Sequence, residues 1–284
     1  SPPVSLAGNL TCSEESSFQG NFNVQGNVTL TDDCKFGADL WAGGRIYVND
    51  NDADVVVNGN LKAVGDLDVR RGDLTVNGNL IVSNISRGSA SVVGSRIFSP
   101  PNPSVGAPPI ATYPQLDYNA TTWTGWNPVT PASGSSFPCS RTLPSLTGKT
   151  VYLAYTGAPG AGCSTVNWTG NTTLNLTHDV TIFADRFTIG DTLTVRSSNG
   201  SKLRLIVPAL GASTCPSTPT NRTITGTFNI EDSASVLLYA RARVAIDGDS
   251  DIRGQIVTCQ LTGPVGNHDL NLEYVLVGAP GAGG

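Results

Sequence analysis

A chain of 284 residues with a formal net charge of −5 and only 14% charged residues is long enough for one or two domains with a sizeable core. The acidic balance lacks the basic footprint needed to neutralise phosphates, which excludes nucleic acid and anionic membrane surfaces as natural partners. No apolar run approaches the length that crosses a bilayer, so no transmembrane segment is predicted.

Residues 1–21 open on Ser1-Pro2-Pro3 and predict an extended N-terminal segment, because proline forbids a helix there. Residues 22–98 read as a first block of short strands and corners. Phe22-Val24, Val28-Leu30, Phe36, Leu40, Ile46-Val48 and Val55-Val57 lead into a repeat in which Val57-Asn58-Gly59-Asn60-Leu61 returns as Val76-Asn77-Gly78-Asn79-Leu80. A period of roughly nineteen residues is that of one turn of a repeat protein. In Leu67-Asp68-Val69, Leu74-Thr75-Val76 and Leu80-Ile81-Val82 the outer residues share an apolar face and the middle one points away, as in a half-buried strand. Asn, Asp and Gly between them let the chain turn sharply. Arg71-Gly72-Asp73 spells an integrin tripeptide, but it falls where the repeat demands a corner and is read as one.

Residues 99–149 are rich in Pro, which strand ladders exclude, yet hold Tyr113, Tyr118, Trp123 and Trp126. A disordered linker would be poor in aromatics, so this stretch is read as an ordered insertion packed on the flank. Residues 150–277 form a second block, from Thr150-Val151-Tyr152-Leu153 through Leu203-Leu205-Val207 to Tyr274-Val275-Leu276-Val277. Residues 278–284 are a Gly-rich tail. No run carries the 3.6-residue period of a helix. The expected fold is all-β, a parallel β-helix (β-solenoid) in two blocks with a Pro-rich ordered insertion.

Six cysteines form an even set with no C-x-x-C pair, which points to disulfides in an oxidising compartment. Pairing of sequence neighbours, Cys12 with Cys34, Cys139 with Cys163 and Cys215 with Cys259, is the simplest arrangement. Nine N-glycosylation sequons, at Asn9, Asn27, Asn84, Asn119, Asn167, Asn171, Asn175, Asn199 and Asn221, agree with that compartment. A chain that starts at Ser1 and contains no Met suits a mature product whose signal peptide has been removed. A secreted, extracellular or cell-surface location follows, with covalent N-glycans.

The segments Val180-Thr181-Ile182-Phe183-Ala184-Asp185, Leu205-Ile206-Val207-Pro208 and Gly248-Asp249-Ser250-Asp251-Ile252-Arg253-Gly254-Gln255-Ile256 resemble the β-solenoid domain of large prokaryotic surface and pilus-associated proteins. The Gly-Asn-Leu and Gly-Asp-Leu corners of the first block are similar to bactofilin-like polymer-forming repeats. The resemblance implies a structural, polymer-forming role and carries over no catalytic residue. Pilus-associated relatives imply an apolar N-terminal helix that this chain lacks.

Catalytic chemistry finds little footing. His178 and His268 sit in no metal or triad motif, and no nucleophile elbow, zincin or P-loop pattern occurs. Asp185 with Arg186, and Asp247, Asp249 and Asp251 near Arg241, Arg243 and Arg253, are the carboxylate-with-base sets a polysaccharide-cleaving β-helix would use, though alternating charge is also what a solvated strand face carries. Asp50, Asp52, Asp54 and again Asp247, Asp249, Asp251 offer hard oxygen ligands at alternate positions, as weak candidates for structural calcium. No other cofactor is implied.

The leading expectation is a non-enzymatic, glycosylated extracellular structural protein that self-assembles end to end into a homopolymer, a terminal segment docking into its neighbour by strand addition. The alternatives are a secreted carbohydrate-binding or carbohydrate-active β-helix, with a groove lined by Trp123 and Trp126, or a monomeric adhesin.

Overall fold

The computed structural model describes residues 4–6, 8–13, 15–98, 108, 115–211, 216, 220–263, 268–275 and 277–280. Among them the chain is all-β, without an α-helix, and the strand pairings are parallel. One sheet has six strands, and the remaining strands belong to a barrel-like pairing network that closes on itself. The chain divides into two compact units, Ser1–Thr112 with Cys259–Tyr274, and Tyr113–Thr258 with Val275–Gly284.

In the first unit the chain returns onto itself in tiers. Val4–Leu6, Phe22–Val24, Leu40–Ala42, Leu61–Ala63, Leu80–Val82 and Arg96–Phe98 pair in that order as the six-stranded sheet. The triplet grammar explains why: the outer residues, such as Leu61 and Ala63 or Leu80 and Val82, point inward and are buried, while the middle residue is less buried; Phe22–Val24 departs from this, with Asn23 buried as well. Phe18, Phe22 and Phe36 meet in this core with ring centroids 5.0–5.9 Å apart.

The tiers are held in register at their corners. Asn21 Oδ1 accepts the Asp39 N–H, Asp39 Oδ1 that of Asn60, Asn60 Oδ1 that of Asn79, and Asn79 Oδ1 that of Ser95, across spacings of 18, 21, 19 and 16 residues. Backbone also touches backbone here: the Gly78 N–H donates to Gly59 O at 3.0 Å, and a Cβ on Gly78 would sit 2.6 Å from the Gly59 carbonyl. Only Gly allows tiers to approach this closely.

Residues 4–18 contribute three paired strands. Leu10–Cys12 pairs with Val28–Leu30 on one side and with Leu261–Thr262 on the other. Ser16–Phe18 lies likewise between Cys34–Phe36 and Leu270–Tyr274. Residues 259–274, read from sequence as part of the second block, thus lie in the first unit.

The second unit is built on wider and less even returns. Thr150–Ala154, Val180–Ala184, Lys202–Val207, Ser235–Ala240 and Ser250–Thr258 stack in parallel. The first four are buried along nearly their whole length, because both sheet faces are covered. Leu116, Trp123 and Val277 pack against Val151, Leu153, Phe183, Ile206, Leu237 and Tyr239 on the second face. Of the Pro-rich insertion, Leu116, Trp123 and Phe137 are buried, while most of its other described residues are exposed or half-buried.

Cys12–Cys34 and Cys139–Cys163 are disulfide-bonded. Cys259 is also disulfide-bonded, and Cys215 lies outside the described residues. No cysteine among the described residues is free.

Candidate functional site

A parallel stack has two unlike ends, and their chemistry follows from strand parity. Leu80 donates its N–H to Ser95 O at 3.0 Å. In a parallel strand, successive residues turn their main-chain groups to opposite sides, so those of residues 95 and 97 face Leu80–Val82 and those of Arg96 and Phe98 face the open side. Arg96–Phe98 is the terminal strand of its sheet. Phe98 occupies the inward column yet is 51% exposed, with Ile97 at 43% and Val93 at 74%. The Arg96 guanidinium folds back to the Ala90 carbonyl. Among the described residues no strand pairs with that outer side, and an unpaired edge beside exposed apolar side chains is a template for another strand.

In the second unit the strand Asn127–Val129 differs. Asn127 donates its N–H to Lys149 O at 2.8 Å, so the groups of residue 128 face away from Thr150–Ala154. That residue is Pro128, with no N–H to offer. This edge is blunted, whereas the Arg96–Phe98 edge is not.

The terminal segment expected to dock into a neighbour is engaged within its own chain, Val4–Leu6 against Phe22–Val24. Two features of the sequence would have pointed to the Arg96–Phe98 edge instead: the repeat ends at residue 98, and the prolines follow directly.

All nine sequon asparagines are exposed. Asn9, Asn27, Asn119 and Asn171 use Oδ1 to accept a backbone N–H, and no hydrogen bond among the described residues engages their Nδ2. Asn199 differs: its Nδ2 donates to Thr177 O at 2.7 Å and its Oδ1 accepts the Ser201 hydroxyl.

The acidic runs do not converge. The Asp50 carboxylate accepts the Asp52 N–H, and Asp33 accepts that of Asp54. Asp52 and Asp54 are exposed and line an open groove with Asp73 and Ser91. Among the described residues no group of three or more His, Cys, Asp or Glu is placed to hold a metal. Burial raises the pKa of Asp247, with Arg243 opposing the shift. Asp249 and Asp251 flank it without forming such a group.

Asp185 is held by Arg222 at 3.0 Å and by the Thr156 N–H at 2.8 Å, a structural tie, while Arg186 points to solvent. The aromatic groove is corrected outright. Trp123 is 2% exposed and packs edge-on against Phe183 at 5.4 Å, so it cannot offer a sugar its face. Trp126 is half-buried between Lys149 and Arg204. Its neighbour Arg204 is buried, which lowers its pKa against the opposing pull of Asp179. His178 shares a hydrogen bond with the Thr177 hydroxyl, at 3.2 Å.

A scan of protein-family models and searches of curated proteins and of solved structures each return no match. Among the described residues no helix is long and apolar enough to cross a membrane.

Proposed function

We propose that this chain is a parallel β-solenoid and serves as a non-enzymatic, N-glycosylated, secreted structural protein that self-associates into a filament or surface appendage. The observation that carries the reading is the open Arg96–Phe98 edge, with Val93, Ile97 and Phe98 exposed beside it. That edge takes an extended strand from a second copy, and because the surfaces that meet are unlike, the contact propagates into an open assembly. Two disulfides and nine exposed sequons support an extracellular setting. The resemblance to prokaryotic surface and polymer-forming repeats supports the same class. Among the described residues no convergent acid and base supports catalysis, and the burial of Trp123 removes the main support for a sugar-binding groove.

The test is negative-stain electron microscopy with sizing chromatography of the whole chain and of Arg96→Pro. The substitution removes the outward N–H at residue 96, giving this edge the blunting that Pro128 gives the other. Filaments or oligomers in the parent that shorten to monomers in Arg96→Pro are expected. A monodisperse parent, or assemblies indifferent to Arg96→Pro and Ile97→Lys alike, overturns the reading.

A further inference from the structure

Successive tiers of the first unit pass through one corner at Asn9, Asn27, Arg45, Asp66 and Asn84. The carbonyls of the last four receive the N–H groups of Leu10, Val28, Ile46 and Leu67 in turn, at 2.9–3.0 Å. The three sequons described in this unit all fall in that single file. Asn9 and Asn27 are exposed and bind the next tier through Oδ1, accepting the N–H groups of Asn27 and Arg45 at 2.8 and 2.9 Å, and no hydrogen bond among the described residues engages Nδ2.

A second corner, at Asn21, Asp39, Asn60, Asn79 and Ser95, uses the same capping with the opposite outcome for the amides. Asn60 Nδ2 donates to both Asp39 carboxylate oxygens at 3.1 and 3.2 Å, and Asn79 Nδ2 donates to Asn60 Oδ1 at 3.1 Å. None of these asparagines opens a sequon. Asn9 and Asn27 keep their nitrogens out of the ladder, and Asn60 and Asn79 use theirs in it.

We infer that the first unit carries its glycans in single file along the corner of Asn9, Asn27 and Asn84, and that the corner of Asn21, Asn60 and Asn79 stays bare. In the modification, Nδ2 forms a bond to the anomeric carbon of an activated oligosaccharide phosphate. The donor's phosphate leaves with the bonding electron pair, and Nδ2 loses one proton and keeps the other. At Asn9 and Asn27 this disturbs no hydrogen bond among the described residues, since Oδ1 does the capping. At the bare corner a glycan on Asn60 would compete with both bonds to Asp39. Tiers lie about 4.8 Å apart, so Asn9 and Asn27 place their glycans on neighbouring tiers, and Asn84 places one three tiers further along. The inference rests on the reading of the chain as a glycosylated extracellular protein and adds where the sugar goes.

Glycopeptide mass spectrometry, site by site, of whole protein secreted from an N-glycosylating host tests it. Lys62→Thr is measured alongside, because it completes an N-x-T sequon on Asn60 at the bare corner. Expected are glycans at Asn9, Asn27 and Asn84, and at least tenfold lower occupancy at Asn60 in the folded, protease-resistant Lys62→Thr protein. Glycans at Asn167, Asn171 or Asn175 with none on the file would overturn the inference while leaving the glycoprotein reading intact. Glycan-free protein at all nine sequons would overturn both. Folded Lys62→Thr protein as fully modified at Asn60 as at Asn27 would show that the amide bonds do not select the site.

Discussion

The two units solve one problem, stacking parallel strands over a core, with different economies. The six-stranded sheet of the first unit uses three-residue strands and nearly constant returns, so the same residue types recur at one corner: Asn21, Asp39, Asn60 and Asn79 cap one another in sequence. In the second unit the returns run from Thr150 to Val180, then Leu203, Val236 and Gly254, and among the described residues no corner ladder of that length forms. Order there comes from burying both faces of one sheet beneath Leu116, Trp123 and Val277. Polar corners hold the first unit; apolar cladding holds the second.

The comparison breaks most sharply at glycine. Gly78→Val forces a side chain into the Gly59 carbonyl and should destabilise the first unit by about 3 kcal/mol. Gly200→Ala, at φ +76° with nothing within 4 Å, should lose only about 1 kcal/mol from its left-handed backbone. Chemical denaturation of the two variants measures the contrast, and equal losses would mean that close approach is not what the first unit's corners require. Asp39→Ala deletes three hydrogen bonds to Asn60 and should destabilise by about 2 kcal/mol, with faster amide exchange at Asn60 and Leu61 as its local signature.

The smallest effect sharpens the second unit's side of the comparison. Burial pushes the Tyr239 hydroxyl up to about 12 from its ordinary 10. A group that keeps its proton longer when folded stabilises fully below its unfolded pKa, and that contribution is lost as pH rises from 10 toward 12. The melting temperature should therefore fall over that window more steeply in the parent than in Tyr239→Phe. Parallel pH profiles would mean that Tyr239 is not the group responsible.

Strand triplets were legible because alternation over three residues, bounded by Asn, Asp or Gly, leaves little else for Leu80-Ile81-Val82 to be. The bonded pairs Cys12–Cys34 and Cys139–Cys163 are sequence neighbours for the same local reason. The aromatics among the prolines point to packing, which Trp123 bears out by lying in the core, and the alternative of a Trp123 groove fails on that burial. The unbroken apolar runs Val151-Tyr152-Leu153-Ala154 and Val180 to Ala184 held the same signal, since a strand apolar at every position has both faces covered. Neither period nor propensity could show that Leu261–Thr262 and Leu270–Tyr274 return to the first unit. Strands so short carry little period, and their partners, Leu10–Cys12 and Ser16–Phe18, lie at the opposite end of the sequence.

That return has a consequence for synthesis. Chains emerge N-terminus first and usually fold in that order, yet Leu10–Cys12 lacks its second partner until residue 262 has been made, and Ser16–Phe18 until residue 272. The earliest strands to leave the ribosome are among the last to be sealed, so a chain stalled anywhere before residue 261 presents a bare strand edge to its surroundings.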